Sequence, residues 1–155
     1  MPQVQDSTHP PEEANKTVVD RVFDAILNDH DPDATSRLVA PDFVAHHPAF
    51  PDGIHGPEGM AKMTATFRGA FPDLIYTIED RIADEDKVVV RWTAGGTHRA
   101  PFLGLAATGN AMRITGTDIF RVRDGMVAEA WVVSDFFGLF VQLGAFPPMP
   151  QRPAG

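Results

Sequence analysis

Residues 117–135 read TDIFRVRDGMVAEAWVVSD, and this stretch decides the fold of the chain. Its centre is the dipeptide Asp124-Gly125, which favours a type I′ turn because both central positions of that turn need positive φ angles. On either side, apolar and polar residues alternate with the period of a β-strand. The stretch therefore predicts a β-hairpin with strands at 111–123 and 126–135.

A two-residue turn determines which residues face each other across the predicted hairpin. If residues are counted outward from the turn, Asp118 faces Trp131. The same count pairs Phe120 with Glu129. Because strand side chains alternate between two faces, Asp118, Glu129 and Asp135 then share one face, and the rest of that face is mostly apolar. Carboxyl groups within an apolar face are unusual, and they indicate a site of chemistry.

Outside this hairpin, helical patterns come first along the chain and strand patterns follow. Apolar residues recur at helical spacing in 12–28 and 57–71, and a short helical piece at 33–39 lies between prolines. From residue 73 the period is two, which predicts strands at 73–83 and 87–98 as well. A last short helix is predicted at 136–143. This order predicts an α+β fold in which a curved antiparallel sheet, a half-barrel, packs against the N-terminal helices and leaves a hollow for a small ligand.

The length of 155 residues suits one domain with a substantial core. We expect that domain at 12–146, after a flexible N-terminal arm at 1–11 and before a proline-rich tail at 147–155. The N-terminus lacks the basic start and apolar stretch of a signal peptide, and no apolar run approaches the ~20 residues of a membrane span. A cytoplasmic location is therefore expected.

Composition narrows the possible partners and chemistry. The formal net charge is −8, with 21 acidic and 13 basic residues, and this balance argues against nucleic acid or an anionic membrane as partner. There is no cysteine, so disulfides, thiolate catalysis and cysteine-ligated metals are excluded. His46, His47 and His55 form a loose cluster, but adjacent residues of an extended segment point in opposite directions. We therefore expect no metal site.

Short motifs in a fixed order resemble the SnoaL-like polyketide cyclase family, whose members are also called ester cyclases. The resemblance covers roughly residues 15–145. The motifs are FPDL at 71–74, VVVRWT at 88–93, GTHR at 96–99, FLG at 102–104, TG at 108–109, IFRV at 119–122, DG at 124–125 and QLG at 142–144, together with Trp131 and Asp135.

This resemblance implies the cone-shaped fold of the nuclear-transport-factor-2-like superfamily and a cofactor-free enzyme that closes a polyketide ring by intramolecular aldol condensation. It also implies a homodimer formed through the outer face of the sheet. In such cyclases an aspartate near the end of the last strand is the general acid/base, and here that position is Asp135. Members commonly have histidine just before the tryptophan, where this chain has Ala130. By the hairpin count, Ala130 points away from the face of Asp135.

An aldol closure needs one group to remove a proton from carbon and another to donate to a carbonyl oxygen. Burial raises the pKa of a carboxyl group, which makes it a usable base at neutral pH. We expect Asp135 to be this base and His46 or His47 to be the donor. Asp118 is either a second acid that tunes Asp135 or binds the substrate, or a buried acid satisfied by the Trp131 indole N–H or by a backbone amide.

Other side chains are expected to contact a small hydrophobic or aromatic carbonyl substrate. Trp131 is either a cavity wall or plain core, and Glu129 is either near the substrate or in a salt bridge at the rim. His98 is either at the mouth of the cavity or in a structural hydrogen bond. Trp92 and Phe120 complete the predicted binding set, to which His47 also belongs.

Tyr76 is the only tyrosine, and it is either a donor to an oxyanion or part of strand packing.

Two rival functions remain open. Hydrolysis, such as water addition to an epoxide, would need an aspartate–arginine–aspartate relay inside the cone, yet Arg91, Arg113 and Arg121 are predicted to point away from the acidic face. A non-catalytic small-molecule-binding module would leave Asp135 with an ordinary pKa.

Overall fold

A computed structural model describes residues 10–147 of the chain. Most of the predicted arm at 1–11 and of the predicted tail at 147–155 lies outside the described residues. Within them the first helix already begins at Pro10, inside the segment predicted to be the arm. No helix in this range is long and apolar enough to cross a membrane.

Four α-helices and six strands make up the described part of the chain. The helices are α1 (Pro10–Arg21), α2 (Pro32–Leu38), α3 (Gly56–Ala70) and α4 (Phe136–Gln142), and α1 continues directly into a π-helical segment, Val22–Asn28. The strands are β1 (Val39–His47), β2 (Phe50–His55), β3 (Ile75–Asp84), β4 (Lys87–Thr97), β5 (Ala111–Arg123) and β6 (Met126–Ser134).

The strands form one sheet in the order β2-β1-β6-β5-β4-β3. The predicted meander β3 to β6 is confirmed, and the α+β half-barrel with it. β1 and β2 were missed as a strand pair, because prolines and Gly53 interrupt their pattern, and such residues usually mark strand edges or turns. β1 runs parallel to β6, so the sheet is mixed rather than wholly antiparallel.

The turn at Asp124-Gly125 is confirmed, since both residues have positive φ angles, 53° and 72°. The predicted pairing beyond it is wrong. Val122 pairs with Val127, but the next pair is Arg121 with Glu129, so β6 carries one extra residue at this point. Such a β-bulge sets two residues of one strand against one of its partner and reverses the side-chain alternation that follows.

The bulge redistributes the side chains of β6 between the two faces of the sheet. Asp118 pairs with Val132. Its neighbour Ile119 lies on the opposite face of the sheet and pairs with Trp131. The face of Asp118 therefore receives Ala130 and Val132 from β6. Glu129 and Trp131, predicted to share the face of Asp118, lie on the outer face instead.

The inner face of the sheet packs against α1, the π-helical segment and α3. Val22, Phe23 and Ile26 of the π-helical segment are each 1% exposed, which confirms the apolar stripe predicted for this region. The Phe23 ring stands edge-on to the rings of Tyr76 and Phe120, with centroids 6.1 and 6.2 Å apart. These contacts leave a hollow in the centre of the interface between sheet and helices.

Candidate active site

A cavity of about 60 Å³ lies between the inner face of the sheet and the helices. This is room for a few water molecules. Its wall is largely apolar and includes three methionines, Met60, Met63 and Met112, whose unbranched side chains adapt readily to a new shape. The side chains with polar atoms in the wall are His47, Tyr76, Trp92, Asp118 and Ser134.

Asp118 is the acidic residue of this wall. Its side chain is on β5, and the residue is only 6% exposed. Burial raises the pKa of the carboxyl to about 7, although the Trp92 indole and the Val133 backbone N–H act in the opposite direction. Within residues 10–147, neither Asp118 Oδ1 nor Trp92 Nε1 has a partner at hydrogen-bond geometry. The indole is thus close enough to stabilise the carboxylate, although it does not form a full hydrogen bond with it. Asp118 Oδ1 can therefore still accept a hydrogen bond.

His47 enters the wall from the end of β1 as a neutral imidazole. The residue is 9% exposed, and burial lowers its pKa to about 4. Its Nδ1 accepts a hydrogen bond of 3.0 Å from the Ala49 backbone N–H, so the proton of the neutral ring is on Nε2. The rings of Phe50 and Phe136 stand edge-on to it, with centroids 5.0 and 5.4 Å away. His47 is therefore held as an uncharged donor.

Tyr76 supplies a second neutral donor from β3. Its ring packs against Phe23 and lies 5.2 Å from the ring of Trp92. Burial raises the pKa of the phenol above its usual range, and the nearby Asp118 carboxylate raises it further. Tyr76 thus remains a phenol at any physiological pH.

Gly116 is what allows the Trp92 indole to lie flat in this wall. The two residues are direct partners across β4 and β5. A Cβ atom at position 116 would stand 2.2 Å from Trp92 Cζ2, a distance that real contacts do not show. The absence of a side chain at Gly116 therefore makes the space that the indole occupies.

Three residues predicted for the site come together on the outer face. His46 Nε2 lies 3.0 Å from Glu129 Oε1, and the His46 ring stacks on that of Trp131 at 5.8 Å. Arg121 donates to Glu129 Oε2 at 2.6 Å and places its guanidinium 5.3 Å from the Trp131 ring. This confirms the salt-bridge alternative for Glu129. The bulge in β6 puts Glu129 and Trp131 outside the cavity, and His46 lies outside because it alternates with His47 on β1.

Asp135 and His98 are also absent from the cavity wall. Asp135 is exposed and caps α4, with its Oδ1 accepting from the Gly138 backbone N–H at 2.8 Å. The predicted position of Asp135 among buried acids is therefore wrong. His98 is fully buried, but its Nδ1 is 3.0 Å from Thr108 Oγ1, and its ring packs against Phe71. The structural alternative for His98 is confirmed.

Ala130 does point away from Asp135, as the hairpin count predicts, but it lies on the inner face of the sheet rather than the outer one. It is 1% exposed and lines the cavity, paired with Phe120 across the β5–β6 ladder. Members of the family that the sequence resembles commonly have histidine at this position. The position thus faces the cavity, and in this chain its side chain is only a methyl group. Trp92 and Phe120 line the cavity as predicted, whereas Ser134 was missed because the hairpin count without a bulge turns it outward.

Cationic groups are absent from the cavity wall in the part of the chain described. Arg91, Arg113 and Arg121 alternate with the inward residues of β4 and β5, as predicted, and they lie on the outer face. Nor do residues 10–147 contain three histidine or acidic side chains grouped so as to hold a metal ion. The wall therefore combines one buried acid with uncharged donors.

Comparison with known proteins identifies a single family. The sequence profile of the SnoaL-like polyketide cyclases matches residues 17–143. No curated protein matches the chain. Among solved structures, TsrD from Streptomyces laurentii is 30% identical with a TM-score of 0.77, and the match covers 86% of this chain and 97% of that one.

Two further structures carry the word cyclase in their descriptions. Wild-type IdmH from Streptomyces antibioticus, "a putative polyketide cyclase", is 31% identical with a TM-score of 0.73, covering 84% of this chain and 98% of that one. A "putative SnoaL-like polyketide cyclase" from Jannaschia sp. CCS1 is 25% identical with a TM-score of 0.78, covering 89% and 96%. Fold and family thus agree along most of the chain.

Proposed function

This chain belongs to the SnoaL-like polyketide cyclase family, and we propose that it closes a carbon ring by cofactor-independent intramolecular aldol condensation, with Asp118 as general acid/base. One observation carries the proposal: the Asp118 carboxyl is buried in an apolar cavity, and its pKa is raised to about 7. At neutral pH both protonation states are then populated, which suits a group that must take a proton and return it.

The reaction needs only proton transfer and one new bond. Ionised Asp118 removes a proton from the carbon beside a carbonyl, and the electron pair of that C–H bond forms an enolate. The enolate carbon attacks a second carbonyl of the same molecule, so that a C–C bond forms and the π electrons move to oxygen. Asp118 then returns its proton to that oxygen. Atoms and charge balance without any co-reactant.

Tyr76 and His47 support this sequence as neutral donors. The Tyr76 phenol and the His47 Nε2–H are suited to stabilise the negative charge that develops on the enolate oxygen. Fixed donors in a water-poor site are worth more than the same groups in water. Of the acid–base residues predicted from sequence, Asp118 and His47 fit this role. Asp135 and His46 lie outside the cavity.

The composition of the wall suggests the substrate class. A largely apolar wall that includes several aromatic rings favours a small hydrophobic or aromatic carbonyl compound. Since the cavity holds about 60 Å³, side chains such as Met60 and Met63 must move when a substrate binds. Holding the two reacting ends together in such a site can lower the barrier by ~7–11 kcal/mol.

Exchange of a carbon-bound proton tests the base directly, even before the natural substrate is identified. We expect the protein to accelerate deuterium incorporation from D₂O at the α-carbon of 2-acetonaphthone, an aromatic ketone, as followed by NMR. Asp118→Asn should abolish this acceleration, and the outer-face variant Asp135→Asn should retain it. Equal acceleration by Asp118→Asn and the unmodified protein would remove Asp118 as the base.

The same experiment separates catalysis from one of the two rivals. A non-catalytic binding module would bind the ketone without accelerating exchange in any variant. Hydrolysis through an arginine relay is not favoured, because the cavity wall lacks arginine within the described residues.

The outer face supports the homodimer that the family resemblance implies. Val133 is 67% exposed and Ile119 36%, close to the stacked rings of Trp131 and His46. We propose that two copies pair through this surface. Light scattering at micromolar concentration should give twice the chain mass, and Val133→Lys should lower it to that of one chain. A monomer in the unmodified protein would exclude the pairing.

A further inference from the structure

The amide side chain of Asn28 occupies the free edge of the sheet beside Tyr76. Strand β3 is an edge strand, so alternate residues on its outer side have no partner strand. Asn28 Nδ2 donates to the Tyr76 carbonyl at 3.0 Å, and the Tyr76 N–H donates to Asn28 Oδ1 at 2.8 Å. One amide thus makes both hydrogen bonds that a neighbouring strand would make at this residue.

Arg68 of α3 holds Asn28 in place. Its Nη2 donates to the Asn28 carbonyl at 2.7 Å and to the Leu74 carbonyl at 3.2 Å. Weaker contacts of 3.4 Å reach the carbonyls of Leu27 and Pro72. One guanidinium therefore joins the end of the π-helical segment to the residues that lead into β3, on both sides of the Asn28–Tyr76 contact.

The residue held in this way, Tyr76, lines the cavity from β3, close enough to Asp118 for the carboxylate to raise the pKa of its phenol. Its ring is confined by Phe23 and Trp92, so the position of the hydroxyl depends on where the backbone of Tyr76 stands. We propose that Asn28, fixed by Arg68, is a positioning residue that sets the Tyr76 phenol in the cavity. The catalytic consequence rests on the proposed function, whereas the placement of the phenol does not.

The single tyrosine of the chain makes this proposal measurable without a substrate. In protein labelled with ¹³Cζ-tyrosine, one NMR signal reports the ionisation of Tyr76. In the unmodified protein the signal should remain that of a phenol beyond the ordinary midpoint of about 10, because burial and Asp118 disfavour the phenolate. In Asn28→Ala the ring loosens and gains water. The midpoint should then fall towards the ordinary value of about 10.

The chain offers a matched control. Gln142 makes the same pair of contacts with the backbone of Arg113, where Oε1 accepts at 2.7 Å and Nε2 donates at 2.9 Å. The side chain of Arg113 is exposed, so Gln142→Ala removes an equivalent amide away from Tyr76. We expect this variant to titrate as the unmodified protein does. Spectra are taken at pH values where circular dichroism shows the native fold.

Arg68→Lys provides a second variant if Asn28→Ala fails to fold. It keeps the positive charge near Tyr76 but loses the planar fork that binds several carbonyls at once. A downward shift of the phenol midpoint in the folded variants supports the proposal. Unchanged midpoints in Asn28→Ala, or in Arg68→Lys where only that variant folds, overturn it. The Tyr76 titration is independent of ketone exchange, so failure of the proposed chemistry is recognised separately.

Discussion

Asp118 lies opposite Val132 across the β5–β6 ladder, one residue beyond the partner that turn counting predicts. The extra residue of β6 causes this offset between the turn and Asp118. As a result, the acid shares its face with Ala130 and Val132, and Trp131 stacks against His46 outside. Among the residues that the structure describes, the cavity wall therefore contains one acid rather than three.

Asp118→Asn is expected to stabilise the protein above pH 7 while it removes ketone exchange. The carboxyl has a pKa of about 7 in the folded chain and an ordinary value of 3.8. Its contribution to stability is complete below about pH 4 and is lost as pH rises to about 7, because the folded chain resists ionisation. The difference between the two pKa values corresponds to at most about 4 kcal/mol in the free energy of unfolding.

Urea unfolding of both proteins at pH 4 and pH 8 checks this expectation. The free energies of unfolding should be similar at pH 4, and the variant should be the more stable protein at pH 8. If the stability difference between them is the same at both pH values, Asp118 has no raised pKa.

Asp135 is expected to matter for stability rather than for proton transfer. It caps α4 through the Gly138 N–H, and asparagine caps helices about as well as aspartate. Asp135→Ala should therefore lower the free energy of unfolding by roughly 0.5–2 kcal/mol, and Asp135→Asn should change it little. Ketone exchange should continue in both. Loss of exchange in the well-folded Asp135→Asn protein would restore this residue as a candidate base.

Gly116→Ala is expected to displace the Trp92 indole. The new Cβ would overlap the ring at 2.2 Å, and overpacking of this kind typically costs ~1–3 kcal/mol. In a Trp131→Phe background, Trp92 is the only tryptophan, so a shift of its fluorescence reports the displacement. Gly95→Ala is the control on the neighbouring strand, because its Cβ would meet nothing closer than 3.7 Å. A Gly116→Ala protein with unchanged stability and fluorescence would contradict the packing described.

His47 is expected to stay neutral throughout the physiological range. Its pKa of about 4 lies below the ordinary 6.5, so its contribution to stability is present above pH 6.5 and is lost as pH falls to about 4. NMR of ¹⁵N-histidine protein at pH 5.5 should show a proton on Nε2 and none on Nδ1. The exposed His46 provides the comparison within the same spectrum. A doubly protonated His47 ring at that pH would mean that it is solvated.

Several elements could be predicted because their signals are local. Asp124-Gly125 requires one particular turn, and the alternation on either side requires strands, so β5 and β6 follow from residues close together in sequence. The apolar stripe ending at Ile26 likewise identifies a helix that must bury one side. β1 and β2 were not predicted as a strand pair because prolines and Gly53 interrupt their pattern, and because β1 is held in the sheet by β6, which is distant in sequence.

Within the site, strand parity correctly placed Asp118, Phe120 and Trp92 in the hollow, since β4 and β5 pair without interruption from residue 87 to 97. The same rule failed for Glu129, Trp131 and Ala130. A single bulge reverses the face to which every later side chain of the strand points. The stretch from Met126 to Ala130 contains no glycine or proline that would indicate a bulge.

By itself, the sequence determined the hairpin, the helix-then-sheet order and the presence of acids near apolar strand residues, because each depends on neighbours along the chain. Only the tertiary structure decided which acid is buried. The burial that raises the pKa of Asp118 comes from the helices that close over the inner face of the sheet, whereas Asp135 stands exposed one residue past the end of β6.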